Sequence, residues 1–417
     1  MDKYDFVKLM ERKKAERIRV GKRYKHRDVY YDISRVIKDD KSKMFIFYGL
    51  RGIGKSIAIN QSLRKDSLFI DGTVLSYYDL DIVDVVEEYL SVKGSANVLY
   101  IDEISDVDDW SLALKVLYDN YDLKVIATGS SAIGIKTKNI NILRRAIIKE
   151  VSPLTFSEFL RLRYGRSYDI NTRDLFLSSP EDAYVKAKAI LLGLPDLVSE
   201  FREYLRYGFP LAFERPIEDV AESVVDKIIL DDFPDISGFN IDVYVMAKKI
   251  INTIALSKPD RISLSKFTEV AGCSKTTASN ILNALAIASL IIPVYSDRSS
   301  VAKLRKEPKY SFSSAAIRYG LLSRLTTEKN IGALREDAIV SAFRYAGFNI
   351  EYLSGRKQPD YRISYMGRSN IIEVGGPSKD ALSKNRFDKG FLLVDDNRLD
   401  YSNGVVILPI YLVGFLS

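Results

Sequence analysis

Histidine and cysteine are nearly missing from this chain of 417 residues, which has His26 and Cys273 and no others. A lone thiol excludes an internal disulfide and a cysteine-based metal cluster. A lone imidazole argues against histidine catalysis and zinc binding. Long apolar runs are missing as well. No stretch reaches the ~18 residues that a membrane-crossing helix needs, and the charged N-terminus lacks the pattern of a signal peptide. The expected setting is therefore cytoplasmic, with no membrane partner. An even spread of charge is the last absence. The net charge is +7, and residues 1–27, with eleven Lys and Arg against four Asp and Glu, account for all of it. This basic N-terminal arm (1–28) has apolar Phe6, Leu9 and Met10 at helical spacing. It reads either as a solvated arm or as a phosphate-backbone contact.

What is present is an ordinary globular composition, 47% apolar and 28% charged, long enough for roughly two to four domains. One stretch organises the rest. Met44 to Tyr48 is an apolar, aromatic-rich run that reads as a buried strand, and a helical pattern starts at Lys55. Between them lies Gly49-x-x-x-x-Gly54-Lys55-Ser56, the spacing of a P-loop. A polyphosphate has to be wrapped in backbone N–H donors, and side chains would obstruct that approach. Gly49, Gly52 and Gly54 supply the torsions of a tight nest, with Leu50, Arg51 and Ile53 between them. The helix through Lys55, Ser56 and Ile57 aims its positive end at the phosphates. In this reading Lys55 neutralises the β and γ phosphates and Ser56 ligates Mg²⁺.

The second half of such a site is Asn97-Val-Leu-Tyr-Ile-Asp102-Glu103, a strand ending in two acids. Asp102 is expected in the Mg²⁺ shell, and Glu103 is the candidate to orient and deprotonate the attacking water. Leu123 to Ser130 reads as a further strand whose end, Thr128 to Ser131, points toward the same crevice. Thr128 and Ser130 are candidates for sensing the γ-phosphate or holding the water. The alternative is that a hydroxyl here caps the next helix. Before the strand Ala146–Val151 stand Arg144 and Arg145, which either stabilise charge on the transferring phosphoryl group or form a surface pair.

These motifs, together with Ala127-Thr-Gly-Ser-Ser131 and Val151-Ser-Pro-Leu-Thr-Phe-Ser-Glu-Phe159, resemble the archaeal AAA+ ATPases. In that group Leu-x-Phe-x-Glu-Phe follows the last core strand, as Leu154–Phe159 does here. Tyr207-Gly-Phe-Pro210 is similar to the Gly-Gly-Phe-Pro of the group's helical lid, with Tyr207 replacing the first glycine. The resemblance implies a sheet with the sensor strand between the P-loop strand and the Asp-Glu strand. It also implies adenine specificity, with ATP and ADP as ligands; no Asn-Lys-x-Asp follows an apolar strand, which argues independently against guanine.

Three helical patterns (Ala183–Leu192, Val198–Tyr207 and Val220–Leu230) fill the lid region 165–240. From Val243 the order helix, helix, Gly272-Cys273 turn, helix and candidate hairpin (Ile291–Tyr295, Pro308–Phe312) reads as a winged helix-turn-helix over 241–312. Lys275, Thr276 and Thr277 open its second helix, and Arg298, Lys303, Arg305, Lys306 and Lys309 stud the wing. DNA is the expected partner; the alternative is a protein contact with a solvated basic loop. In 313–417 the order Glu336, Asp360, Glu373 resembles the PD-(D/E)XK nuclease-like domain appended to many of these ATPases. Gly375 stands where the resemblance implies a lysine, so the fold is expected without its activity unless Lys379 or Lys384 substitutes.

The fold expected is thus α/β: a P-loop AAA+ parallel sheet (29–164) with a helical lid, followed by a winged helix and a small α/β nuclease-like domain. Three functions stay open: an ATP-driven switch or motor on DNA, an ATP-gated nuclease, and a nucleotide-dependent protein scaffold. A P-loop kinase is disfavoured, because the Asp102-Glu103 pair supplies a water-activating acid. An oligomer is compatible with all three.

Overall fold

The computed structural model describes residues 1–39, 42–130, 134–135, 141–142, 144–233, 241–257, 262–297, 307–327, 330–355, 358–377 and 389–416. Two compact units emerge, Met1–Ser152 with Lys227–Gly238, and Pro153–Asp226 with Phe239–Ser417.

The first unit opens with a correction. The segment expected as a basic arm is a helix, α1 (Lys3–Gly21), started by the Asp2 side chain accepting from the Asp5 N–H. Its apolar stripe decides the outcome: Phe6, Val7 and Met10 are all buried, each contributing ~1.5–3 kcal/mol by leaving water. Even Lys14 is 4% exposed, because its ammonium donates to the carbonyl oxygens of Ser67 and Lys65. There follow α2 (Asp28–Ile37), β1 (Met44–Tyr48), α3 (Lys55–Ser62), β2 (Leu68–Asp71), α4 (Gly72–Tyr77), α5 (Ile82–Lys93), β3 (Val98–Asp102), α6 (Trp110–Asn120), β4 (Lys124–Gly129) and β5 (Ala146–Glu150). Helix α1 packs against α3 and α5. The five strands form a parallel sheet in the order β2-β3-β4-β1-β5, so β4 does lie between β1 and β3. Strands β1, β2 and β3 are buried at every position, as a parallel sheet covered on both faces requires.

The second unit begins earlier than expected. The Leu154–Phe159 motif belongs to it and forms α7 (Phe156–Phe159), closed by a capping box between Thr155 and Glu158. Phe156 packs edge-on against Phe201 and Phe415. Helices α8 (Arg173–Leu177), α9 (Pro180–Leu192), α10 (Val198–Tyr207) and α11 (Ile217–Lys227) follow, matching the three helical stripes within a few residues. Gly208 ends α10 because a Cβ there would collide with Tyr204. The continuation past α11, Ile228–Asp232, returns to the first unit. The stretch 165–240 is thus divided between the two units.

Helices α12 (Ile241–Leu256), α13 (Leu264–Ala271) and α14 (Lys275–Ile287) precede a hairpin of β6 (Ile291–Ser296) and β7 (Lys309–Phe312). Ser263 caps α13, left-handed Gly272 ends it, and Ser274 caps α14. Then come α15 (Ala315–Leu325), α16 (Ile331–Tyr345), β8 (Asn349–Tyr352), β9 (Tyr361–Tyr365), β10 (Arg368–Gly375), β11 (Gly390–Val394), β12 (Asp400–Ser402) and β13 (Val405–Pro409). All eight strands share one sheet, in the order β12-β13-β11-β10-β9-β8-β6-β7. The boundary expected at residue 312 therefore falls inside a continuous sheet. Strand β6 gives its second edge to β8 through Tyr295 and Ser296, which covers an edge that would otherwise be open. At the centre of the unit Arg318 and Asp337, each 1% exposed, pair at 2.5 Å. Arg318 also donates to the Ile254 carbonyl oxygen, while Asp337 accepts from the Phe312 N–H. That pair ties α12, β7, α15 and α16 together.

Candidate functional site

Three glycines at positive φ shape the P-loop. Gly49, Gly52 and Gly54 have φ of 154°, 78° and 93°, and a Cβ on Gly49 would stand 2.7 Å from the Val151 carbonyl oxygen. Left-handed Gly54 is the N-cap of α3, so the helix's first N–H groups face the loop. Leu50 and Ile53 are buried and pin the loop from below, while Ser56 and Ile57 are half-buried on the first turn. Lys55, 4% exposed, folds back so that its Nζ donates to the Gly49 and Leu50 carbonyl oxygens at 2.8 and 2.9 Å. Those carbonyls satisfy the ammonium until stronger acceptors arrive. Arg51 pairs with Asp231 at 3.1 Å, so the returning segment after α11 touches the loop.

Across from the loop, β3 delivers Asp102 and Glu103. Asp102 is 3% exposed; its Oδ1 accepts from the Thr128 hydroxyl at 2.6 Å, and the Ser56 hydroxyl stands near enough to favour its charged form. Burial pushes the Asp102 carboxyl above the usual carboxylate range, against the pull of those hydroxyls. Glu103 has φ of 54°, a left-handed conformation that costs a non-glycine residue ~1–3 kcal/mol. The bend turns its carboxylate toward β4, where Oε2 accepts from the Ser130 hydroxyl at 2.6 Å and the Ser130 N–H at 2.9 Å. Thr128 and Ser130 therefore each hold one acid; Ser131 lies outside the described residues.

Several residues of the site have no counterpart in the sequence reading. Asp71 and Asp102 end adjacent strands in register. Arg17 bridges them, 3.0 Å from Asp71 and 3.5 Å from Asp102, and Lys13 adds a second pair to Asp71 at 3.1 Å. Phe6, Met10, Lys13 and Arg17 fall on one face of a helix, so the spacing was there to be read. Arg27 braces the loop from outside: Nη1 donates to the Ile53 carbonyl oxygen at 2.5 Å and Nη2 to that of Ser152 at 3.2 Å.

Arg144 and Arg145 are a correction. Strand β5 is parallel to β1 with Ala146 beside Met44. The arginines therefore sit at the sheet edge opposite the P-loop, roughly 13 Å away at ~3.3 Å per strand residue. Arg145 instead grips Asp119 through two nitrogens at 3.1 and 3.2 Å. Neither faces the phosphates of its own loop.

The residues present suit a magnesium nucleotide. Gly49 has no room for a Cβ, buried Lys55 holds its ammonium at the loop carbonyls, and Ser56 with Asp102 offers the hydroxyl and carboxylate such an ion takes beside phosphates. In the second unit, Lys275 and Thr276 are exposed on the first turn of α14, and Thr277 is half-buried with its N–H and hydroxyl on Ser274. Arg298, Lys303, Arg305 and Lys306 lie outside the described residues. Glu336, Asp360 and Glu373 do gather, but as protein-bound groups. The Tyr361 hydroxyl donates to Glu336 at 2.5 Å, the Asp360 N–H to Glu373 at 3.1 Å, and the Val374 N–H to Asp360 at 2.8 Å. Among the described residues no set of three or more His, Cys, Asp or Glu side chains is arranged to hold a metal ion. Lys379 and Lys384 lie outside the described residues. Nor is any described helix long and apolar enough to cross a membrane.

Residues 41–160 match a family model described as an AAA domain. Along most of its length the chain is similar to two uncharacterized proteins of Methanocaldococcus jannaschii. MJ1637 is 26% identical over 411 residues, covering 91% of this chain and 86% of the relative. MJ1544 is 24% identical over 359 residues, covering 79% and 73%. Among solved structures, the Saccharomyces cerevisiae Hsp104–ADP complex aligns with 64% of this chain and spans 39% of that one, at a TM-score of 0.27 and 16% identity.

Proposed function

With residues 41–160 as an AAA-type P-loop ATPase domain, we propose that the protein binds and hydrolyses ATP with Mg²⁺ and uses the change of state to act on DNA. One observation carries the reading. Lys55 is buried in the glycine loop that follows β1, and at the same ends of the parallel strands Asp102 and Glu103 accept from the hydroxyls of Thr128 and Ser130. Bound magnesium would be held by Ser56 and Asp102 and would supply charge neutralisation at the phosphates. Lys55 exchanges its loop carbonyls for phosphate oxygens, and the glycine nest presents its N–H groups to the same anion. Burial raises the Asp102 carboxyl above the usual carboxylate range, and a divalent cation beside it would favour the charged form. Glu103 accepts the proton of the attacking water, and Ser130 fixes the carboxylate for that step.

The DNA part rests on the helix-turn-helix and hairpin order of 241–312, on exposed Lys275 and Thr276, and on the basic run from Arg298 to Lys309. The helices of 165–226 are the proposed lid, transmitting the nucleotide state. Arg144 and Arg145, at the far edge of the sheet, meet a triphosphate only on another copy of the chain, so an arginine role implies an oligomer. The test is ATP turnover measured with and without duplex and single-stranded DNA. Mg²⁺-dependent turnover that changes with DNA, and a loss of that change in Arg305→Glu/Lys306→Glu, is expected. Turnover indifferent to every DNA contradicts the DNA part alone; absent turnover contradicts the whole.

A further inference from the structure

The second unit contains a basic cavity that has no part in the site above. Strands β10 and β11 run parallel, with Gly375 beside Val394. Just past their carboxyl ends, where parallel strands characteristically leave a ligand crevice, lies a cavity of about 480 Å³. The first turns of α16 form one wall, with Arg335 reaching in, and α10 forms another with Arg202 and Arg206. Asp395, 2% exposed, is the carboxylate among them. Its Oδ1 accepts from Arg202 Nε at 3.0 Å, and its Oδ2 from Arg335 Nε and Nη2 at 2.9 and 2.7 Å.

Among the described residues, three guanidinium groups meet one carboxylate, and Arg206 makes no ion pair or hydrogen bond. Asp395 works as a clamp: it fixes two guanidinium planes by their Nε sides. Gly376 packs close to the Arg335 guanidinium, where a Cβ would lie 3.4 Å from Nη1. Leu205, Leu334 and Tyr319 supply apolar lining. The volume is several times what a lone inorganic anion needs and falls within the ~300–1,000 Å³ of organic-ligand pockets.

We propose that this cavity binds a phosphomonoester: a dianionic phosphate on the arginines, with its organic body against the apolar wall. Two excess positive charges match a dianion, and guanidinium forks match phosphate geometry. The start of α16 adds its partial positive charge on the same side. A mononucleotide and the 5′-phosphate end of a nucleic acid share this chemistry. The inference does not depend on the P-loop reading.

The full chain carrying Lys55→Ala, which silences the P-loop, is titrated with AMP, a 5′-phosphorylated oligonucleotide and its 5′-hydroxyl twin. Tighter binding of a phosphorylated probe is expected, with a loss of roughly 10-fold or more in Arg206→Ala and partial recovery in Arg206→Lys. Because Arg206 is exposed, the substitution is expected to leave the fold intact, which a thermal melt checks. AMP binding identifies a mononucleotide pocket, and preference confined to the oligonucleotide identifies a strand end. Equal affinity for the phosphate and hydroxyl probes, with no AMP bound, overturns the proposal. So does phosphate-dependent binding that Arg206→Ala leaves unchanged.

Discussion

Replacing Thr128 by valine tests the site at its most buried hydrogen bond. Thr128 is 0% exposed, and its hydroxyl donates at 2.6 Å to Asp102. Valine keeps the shape and deletes the donor. A hydrogen bond to a charged group is worth ~1.5–3 kcal/mol, which converts to roughly 10- to 150-fold in an equilibrium at ~1.4 kcal/mol per decade. The loss falls on the ionised form of Asp102. Its pKa, already raised by burial, rises further, which weakens the carboxylate as a cation ligand. The Mg²⁺ concentration giving half-maximal ATP turnover should therefore increase about 10- to 100-fold, the range typical of groups that orient metal ligands. Nucleotide binding in EDTA should stay as it was, and Thr128→Ser should restore most of the Mg²⁺ affinity. An unchanged Mg²⁺ midpoint in Thr128→Val, with turnover intact, would refute the assignment of Asp102 to the metal.

Three further outcomes concern stability and the nuclease-like acids. Although Glu336 is half-buried as a residue, desolvation and the nearby Asp360 push its pKa from 4.5 up to about 8. The folded state then holds the proton more tightly than the unfolded chain, so stability falls as pH rises from about 4.5 to about 8, by at most ~1.4 kcal/mol per pH unit. Glu336→Gln should flatten that decline in urea melts; identical slopes in both proteins would dismiss it. Asp337→Ala strands the buried Arg318 guanidinium and should cost ~3–5 kcal/mol, whereas Arg318→Met/Asp337→Leu should recover much of the loss. A single-variant cost below ~1 kcal/mol would mean that water reaches the pair. Supercoiled DNA incubated with Mg²⁺ should remain uncut, and cleavage that Asp360→Ala abolishes would overturn the reading of these acids as structural.

The nucleotide site was legible because its chemistry dictates residue types locally. A nest needs Gly49, Gly52 and Gly54 wherever the chain later goes, and an apolar strand ending in Asp102-Glu103 announces itself. Of the two readings open for Arg144 and Arg145, nearness to a strand suggested the phosphates, and the parallel register favours the surface pair. A parallel β5 enters from the opposite edge, so the residues before it sit away from the loop. The docking of α1 was hidden by its charge, which suggested a solvated arm although Phe6, Met10, Lys13 and Arg17 share one face. Arg27 had no local signal, since the Ile53 and Ser152 carbonyls it bridges are far apart in sequence. The pairing of β6 with β8 was equally hidden: two residues of parallel contact across more than fifty positions leave no period in the chain.

The central claim is that Lys55 grips a triphosphate and Glu103 drives its hydrolysis. The most direct measurement pairs equilibrium ATP binding with single-turnover hydrolysis in Glu103→Gln and Lys55→Ala. Glu103→Gln is predicted to bind ATP with near-parental affinity while hydrolysis falls at least ~100-fold, the scale of a general base; Lys55→Ala is predicted to lose both. Hydrolysis at the parental rate in Glu103→Gln, or full ATP binding in Lys55→Ala, would contradict the account.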